Sequence, residues 1–187
     1  IMPSLVGSEM CIRDSPSVEL TRLYQVAQIH KQYQALAQVL GTEIDDSSWH
    51  ERAQAVVGKM REKYSGTTVA IGEMQNGNAF EMALALTRYG FVIKEIYANL
   101  GPDDFVYLRH LAALSPDTEV YSNLSPSMLY YQGQDHPVDV TIGKDAAYYH
   151  EQAAHLHWDE DIQPFGYAGV ISLLQGLDWV LSERKHP

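Results

Sequence analysis

Thr67-Thr-Val-Ala-Ile71, a helical stretch from Asn76 to Tyr89, and then Phe91-Val-Ile-Lys-Glu-Ile-Tyr-Ala98 decide how this chain folds. The first piece is a compact β-branched run bounded by Gly72 and reads as a buried strand, and the third, after Gly90, reads as the second strand. Between them Phe80, Met82, Ala83, Leu84, Leu86 and Thr87 follow helical spacing, and Gly90 stops the run. A strand, a helix of ten or more residues and a second strand form a crossover unit, which requires parallel pairing.

The same alternation continues to the C-terminus. Pro102 to Leu114 reads as a helix, Glu119-Val-Tyr-Ser122 as a third strand and Pro126 to Gln132 as a short helix. Val138-Asp-Val-Thr-Ile142 is a fourth strand, Asp145 to His155 a helix, and Leu156 to Asp159 a possible fifth strand. A long helix, Pro164 to Arg184, closes the chain. The expected architecture is α/β, a Rossmann-like doubly wound, mainly parallel sheet of four to five strands with helices on both faces.

Upstream, residues 16–65 read as a helical leader. Apolar residues from Val18 to Leu40 recur at three-and-four spacing up to Gly41, and Asp45-Asp46-Ser47-Ser48 offers caps for a second helix, about Trp49 to Tyr64. The first fifteen residues show neither periodicity, and resemble a translated sequencing-adapter peptide. They are expected not to belong to the fold, so the native frame would begin near Pro16 and residues 66–187 would form the α/β domain.

Composition limits the function. The 187 residues carry 24 acidic and 13 basic side chains, a net charge of −11, which disfavours nucleic acid and anionic membranes as partners. No apolar run reaches the ~18 residues of a membrane span, and a cytoplasmic protein is expected. The one cysteine, Cys11, lies in the suspect leader, so neither a disulfide framework nor a multi-thiolate metal site comes from this chain.

Doubly wound sheets bind ligands beyond the carboxyl ends of their strands. Four places follow. Asn99-Leu-Gly-Pro102 after the second strand is echoed by Asn123-Leu-Ser-Pro126 after the third; both suit efficient helix starts, or would point Asn99, Asn123 and Ser125 into the crevice. Gly72-Glu-Met-Gln-Asn-Gly-Asn78 matches neither the dinucleotide fingerprint nor a Walker A loop. Gly143-Lys144 after the fourth strand permits close approach and offers a cation to a bound anion, or a solvated loop charge. His155-Leu-His157-Trp-Asp159 could place two imidazoles and a carboxylate on one side of an extended segment, a weak metal signal. Tyr130-Tyr131 and Tyr148-Tyr149 read as core and rim, and no nucleophile elbow or catalytic triad is present.

Asp139-Val-Thr-Ile-Gly-Lys144, the helix after it, His157-Trp158-Asp159, Pro164-Phe-Gly-Tyr-Ala-Gly169 and the long terminal helix resemble nitrogenase component 1 type oxidoreductases, over about Thr67 to Lys185. The resemblance implies a longer chain of three α/β domains that pairs with a related subunit, in a homo- or hetero-oligomer. Metal–sulfur clusters would be held between domains, their cysteines coming from earlier ones. It implies His157, or less directly His155, as a ligand of the cofactor and Lys144 as a contact to its organic acid, with Gly143, Asn99, Asn123 and Ser125 in the pocket wall. The family's wording is His-x-Trp-Asp, whereas here His157 directly precedes Trp158. The fragment alone is expected to hold no cofactor and to be inactive. Two other readings stand beside this one: a non-redox small-ligand-binding or scaffold module, and a mononuclear His/carboxylate metal enzyme.

Overall fold

A computed structural model describes residues 19–73, 77–132, 137–158 and 163–183. The first eighteen residues, the middle of the loop after Gly72, Asp159 to Asp161 and Arg184 lie outside them. The chain runs α1 (Val26–Leu40), α2 (Ser47–Tyr64), β1 (Thr68–Gly72), α3 (Ala79–Arg88), β2 (Val92–Tyr97), a 3-10 turn (Pro102–Asp104), α4 (Phe105–Leu114), β3 (Glu119–Tyr121), a second 3-10 turn (Pro126–Tyr130), β4 (Val140–Ile142), α5 (Lys144–Tyr149), β5 (Ala154–Leu156) and α6 (Gly166–Glu183). All five strands pair in parallel, in the order β3-β2-β1-β4-β5. This is the expected Rossmann-like α/β fold: the chain leaves β1 on one side, returns beyond it, and so makes the switch in strand order between β1 and β4.

The two faces of the sheet differ in chemistry. Val69, Ile71, Ile93, Ile96, Val140, Ile142 and Leu156 enter one large core, closed by residues of α1, α2, α3, α4 and α6. The opposite face carries a smaller core, Ala70, Tyr97 and Val138 under Ala146 of α5, packed with Tyr121, Met128, Tyr131 and Tyr149. A register shift in β2 produces this division. Val69 pairs with Ile93 but Ala70 pairs with Glu95, so Lys94 is an extra residue and the side-chain phase reverses there.

Several boundaries differ from the sequence reading, each for a visible reason. The first helix starts at Val26 instead of Val18, because the buried Glu81 carboxylate accepts the backbone N–H of Tyr24 (2.8 Å) and of Gln25 (3.1 Å), holding that segment out of helix. Helix α3 starts at Ala79, where the Asn78 side chain accepts from the N–H groups of Phe80 and Glu81. Pro102 and Pro126 open 3-10 turns, the second ending at Tyr130 without an α-helical turn. Helix α5 stops at Tyr149, because His150 is drawn into the sheet face, and the last strand comes earlier than expected, at Ala154–Leu156.

Candidate functional site

The carboxyl ends of the strands hold most of the residues singled out from the sequence. Gly72, at the end of β1, faces the first turn of α5: a Cβ there would lie 3.1 Å from the Ala146 nitrogen and 3.3 Å from that of Asp145. Gly143, between β4 and α5, takes φ 86° and ψ 155°, a conformation essentially confined to glycine. These two glycines let the β4–α5 turn fold tightly over the switch point.

Side chains then tie the neighbouring loops together. Asn99 Nδ2 donates to Glu73 Oε2 (3.0 Å), while Ser122 Oγ donates to Asn99 Oδ1 (2.9 Å), so one chain of bonds spans the ends of β1, β2 and β3. Asn123 Nδ2 donates to Asp145 Oδ2 (3.0 Å), linking the loop after β3 to α5. Ser125 turns instead to Ser127, Oγ to Oγ 2.7 Å. The repeated Asn therefore works in both loops as a connector between strand ends.

On the other side of the switch point, Ile142 of β4 is in register with Leu156 of β5, and the Gly143 N–H donates to the Leu156 carbonyl at 3.3 Å. This pairing carries the Gly143-Lys144 turn and His157 out at the same end of adjacent strands, although Lys144 lies thirteen positions before His157 in sequence. Lys144, His155 and His157 are all exposed. The alternation expected for the two histidines holds, with ring centroids 6.1 Å apart, and His155 Nδ1 lies 3.1 Å from Thr141 Oγ1. Asp159, the third member of that motif, falls outside the described residues. Among the described residues no three His, Cys, Asp or Glu side chains are grouped to hold a metal ion.

Sequence reasoning missed a buried polar cluster in the middle of the smaller face. Glu95 is 1% exposed and receives Tyr97 OH (2.6 Å) and His150 Nε2 on one oxygen and Tyr131 OH (3.0 Å) on the other. Tyr97 is stacked between Tyr149 (4.7 Å) and Tyr121 (5.3 Å). Burial, reinforced by the hydrogen bond to the Glu95 carboxylate, pushes the Tyr97 hydroxyl far above its ordinary value, so it stays a donor. A signal was present in the sequence. Glu95-Ile-Tyr97 and Glu119-Val-Tyr121 repeat one pattern, the strands pair in register, and Tyr121 OH likewise donates to Glu119 at 2.5 Å.

No family model and no curated protein sequence matches the chain. Among solved structures it is similar to a chain of nitrogenase Cp1 at pH 6.5, with a TM-score of 0.72 and 17% sequence identity over 89% of this chain. The chain spans 40% of the length of that nitrogenase chain. No helix among the described residues is long and apolar enough to cross a membrane. At this identity the likeness is one of fold alone: a Rossmann-type α/β fold shared with part of that nitrogenase chain.

Proposed function

We propose that this chain is the C-terminal domain of a nitrogenase component 1-like oxidoreductase. In that reading it walls one side of a metal-cofactor pocket at the carboxyl edge of its sheet and contacts a related subunit. The observation that carries the reading is the β4–β5 register. It carries the Gly143-Lys144 turn after β4 and His157 after β5 out at the same end of adjacent strands, the edge where doubly wound folds bind ligands, and Lys144 and His157 are the two residues that the sequence resemblance assigns to a cofactor.

The donor set suits one wall of a pocket and not a whole site. It offers an exposed imidazole and an ammonium, and among the described residues it includes neither a thiolate nor a three-ligand group. His157 would supply one nitrogen ligand, and Lys144 the cation that holds a carboxylate of the bound group. A metal–sulfur cofactor there would supply electron storage and transfer. Gly143 permits close approach at the turn, and the Glu73–Asn99–Ser122 chain holds the adjacent loops in place.

Anaerobic purification of the full parent chain with its partner, followed by iron analysis and electron paramagnetic resonance, tests this. The expected result is stoichiometric iron and a cluster signal that changes in His157→Ala. A parent chain with further α/β domains but no iron overturns it, as does an upstream reading frame lacking cysteines.

A second reading, a non-redox module binding a polar metabolite, draws support from the amide and hydroxyl groups of Asn99, Ser122 and Asn123 around the same crevice. It predicts an iron-free parent chain whose crevice still binds a ligand. Those two outcomes separate the readings.

A further inference from the structure

The smaller face of the sheet carries a continuous group of tyrosine rings centred on Tyr97, the last residue of β2. Its ring stacks on Tyr121 at 5.3 Å and 17° and on Tyr149 at 4.7 Å and 20°. Tyr131 completes the group, 4.6 Å from Tyr121 and 5.3 Å from Tyr149, centroid to centroid. We propose that this cluster is a redox-active tyrosine site: an outer-sphere one-electron oxidant withdraws an electron from it, and the oxidised centre settles on Tyr97 or Tyr131 while the Glu95 carboxylate takes the phenolic proton.

The hydrogen bonds carry the proton half of the step. A phenol that loses an electron becomes a strong acid, so a base already in contact with its hydrogen makes the oxidation easier. Tyr97 OH donates to one Glu95 oxygen at 2.6 Å and Tyr131 OH to the other at 3.0 Å. Burial and the Glu95 bond keep the Tyr97 hydroxyl protonated, so electron and proton must leave together. The balance is one electron to the oxidant, which is reduced, and one proton from the phenol oxygen to the carboxylate. A neutral tyrosyl radical remains, and no cation is created among the buried rings.

The rings carry the electron half. Tyr97 and Glu95 are shut off from solvent, whereas Tyr121, Tyr131 and Tyr149 are half-buried, so the stacked group reaches from the interior to the surface. An oxidant in solution therefore acts through ring contacts and need not enter. Tyr121 repeats the arrangement with Glu119 at 2.5 Å, but on the edge strand, where Glu119 meets water. The shared, buried carboxylate selects the Tyr97–Tyr131 pair: when one phenol gives up its proton, the other still holds the second oxygen. The oxidant comes from solution, so the proposal does not depend on the oxidoreductase reading.

The test is flash photolysis of the full chain with tris(bipyridine)ruthenium and persulfate, read by transient absorption and electron paramagnetic resonance. A tyrosyl signal should form at the same rate at pH 6 and pH 8, because its proton acceptor is internal; a phenol oxidised through solvent reacts faster as pH rises. Tyr97→Phe with Tyr131→Phe keeps both rings, and should lower the signal at least about tenfold by removing the positioned proton transfer. Tyr130→Phe with Tyr148→Phe changes the two most exposed rings of this face and should leave the signal in place. A rate that rises with pH overturns the proposal and needs no substitution. So does an undiminished signal in the folded Tyr97 and Tyr131 variant, or loss of the signal in the Tyr130 and Tyr148 variant.

Discussion

Replacing Tyr89 by Phe removes one oxygen atom that joins the N-terminal segment to the C-terminal end of α3. The Tyr89 hydroxyl donates to the Tyr24 carbonyl at 2.6 Å and accepts the Val26 N–H at 3.1 Å, and Val26 is the first residue of α1. Tyr24 is 1% and Val26 6% exposed, so water cannot replace the lost partner without local opening. Two hydrogen bonds at about 1 kcal/mol each, plus part of the 1–3 kcal/mol penalty for a buried orphan, give an expected loss of about 2–3 kcal/mol. For a protein of this length that lowers the melting temperature by roughly 4–12 °C. Urea denaturation should show a lower midpoint at unchanged slope, and hydrogen exchange should quicken at Val26 more than at the central-strand Ile71. Burial raises the Tyr89 hydroxyl well above its ordinary value, so it remains protonated and the loss should be the same at pH 6 and pH 9. A change below about 0.5 kcal/mol with Val26 exchange unaltered would refute the reasoning, because the bridge would then contribute nothing net.

Three further outcomes follow from charges and backbone. Burial raises the Glu81 carboxyl above its ordinary value despite the bonds from Gln25 and Tyr24, so its favourable contribution is complete below about pH 4.3 and is lost as pH rises through the raised value. Urea midpoints from pH 4 to 7 should therefore fall in the wild type relative to Glu81→Gln, and parallel curves would contradict this. Burial also opposes ionisation of Asp46, but the hydrogen bonds from Tyr167 and His30 outweigh it and its carboxyl sits below the ordinary value; its contribution is present above about pH 3.9 and disappears as pH falls towards that lowered value. Asp46→Asn should cost about 1–3 kcal/mol at pH 7 and flatten the acid limb of the stability curve, measured by the same titration. Gly143→Ala should destabilise by about 1–3 kcal/mol in thermal melts, since φ 86° with ψ 155° excludes a Cβ, and an unchanged melting temperature would show that the turn relaxes freely.

The fold was readable because its signal is local. The β-branched run at Val69 to Ile71, the helical spacing from Phe80 to Leu86 and the glycines between them each select one conformation, and parallel pairing follows from crossover length. Boundaries set by distant partners were not readable. Nothing near Tyr24 announces that Glu81, 57 residues on, will hold its N–H. His150 continues the helical pattern in sequence yet ends α5, because its imidazole finds Glu95 across 55 residues. At the candidate site, strand-end position identified Asn99, Asn123, Gly143 and Lys144, and alternation identified the two histidines. Their mutual arrangement required the register. The Leu156–Ile142 pairing that carries Gly143-Lys144 and His157 out at one end of the sheet is a property of two strands of three residues each, too short to declare their alignment.

The polar face of the sheet depends on a single extra residue. With uninterrupted alternation Glu95 would share a face with Ile93, and the large core would contain a carboxylate opposite Ile71. Lys94 reverses the phase, so Ile93 and Ile96 both enter the large core while Glu95 and Tyr97 point the other way. In register, Glu119, Glu95, Ala70, Thr141 and His155 then form one row across all five strands, and Tyr121, Tyr97 and Gly72 form the next. Sheets buried on both faces ordinarily carry apolar side chains on both. Here one row holds two carboxylates, a hydroxyl and an imidazole, with α5 and a 3-10 turn as the cover named in that smaller core. A purely structural face would gain from apolar substitutions in this row, because Glu95 incurs desolvation that its three hydrogen bonds only offset. The same arrangement holds the His150 imidazole in a fixed orientation against Glu95, which an apolar row could not do. The bulge at Lys94 is therefore the feature on which the sheet's separation into a packing face and a chemical face rests.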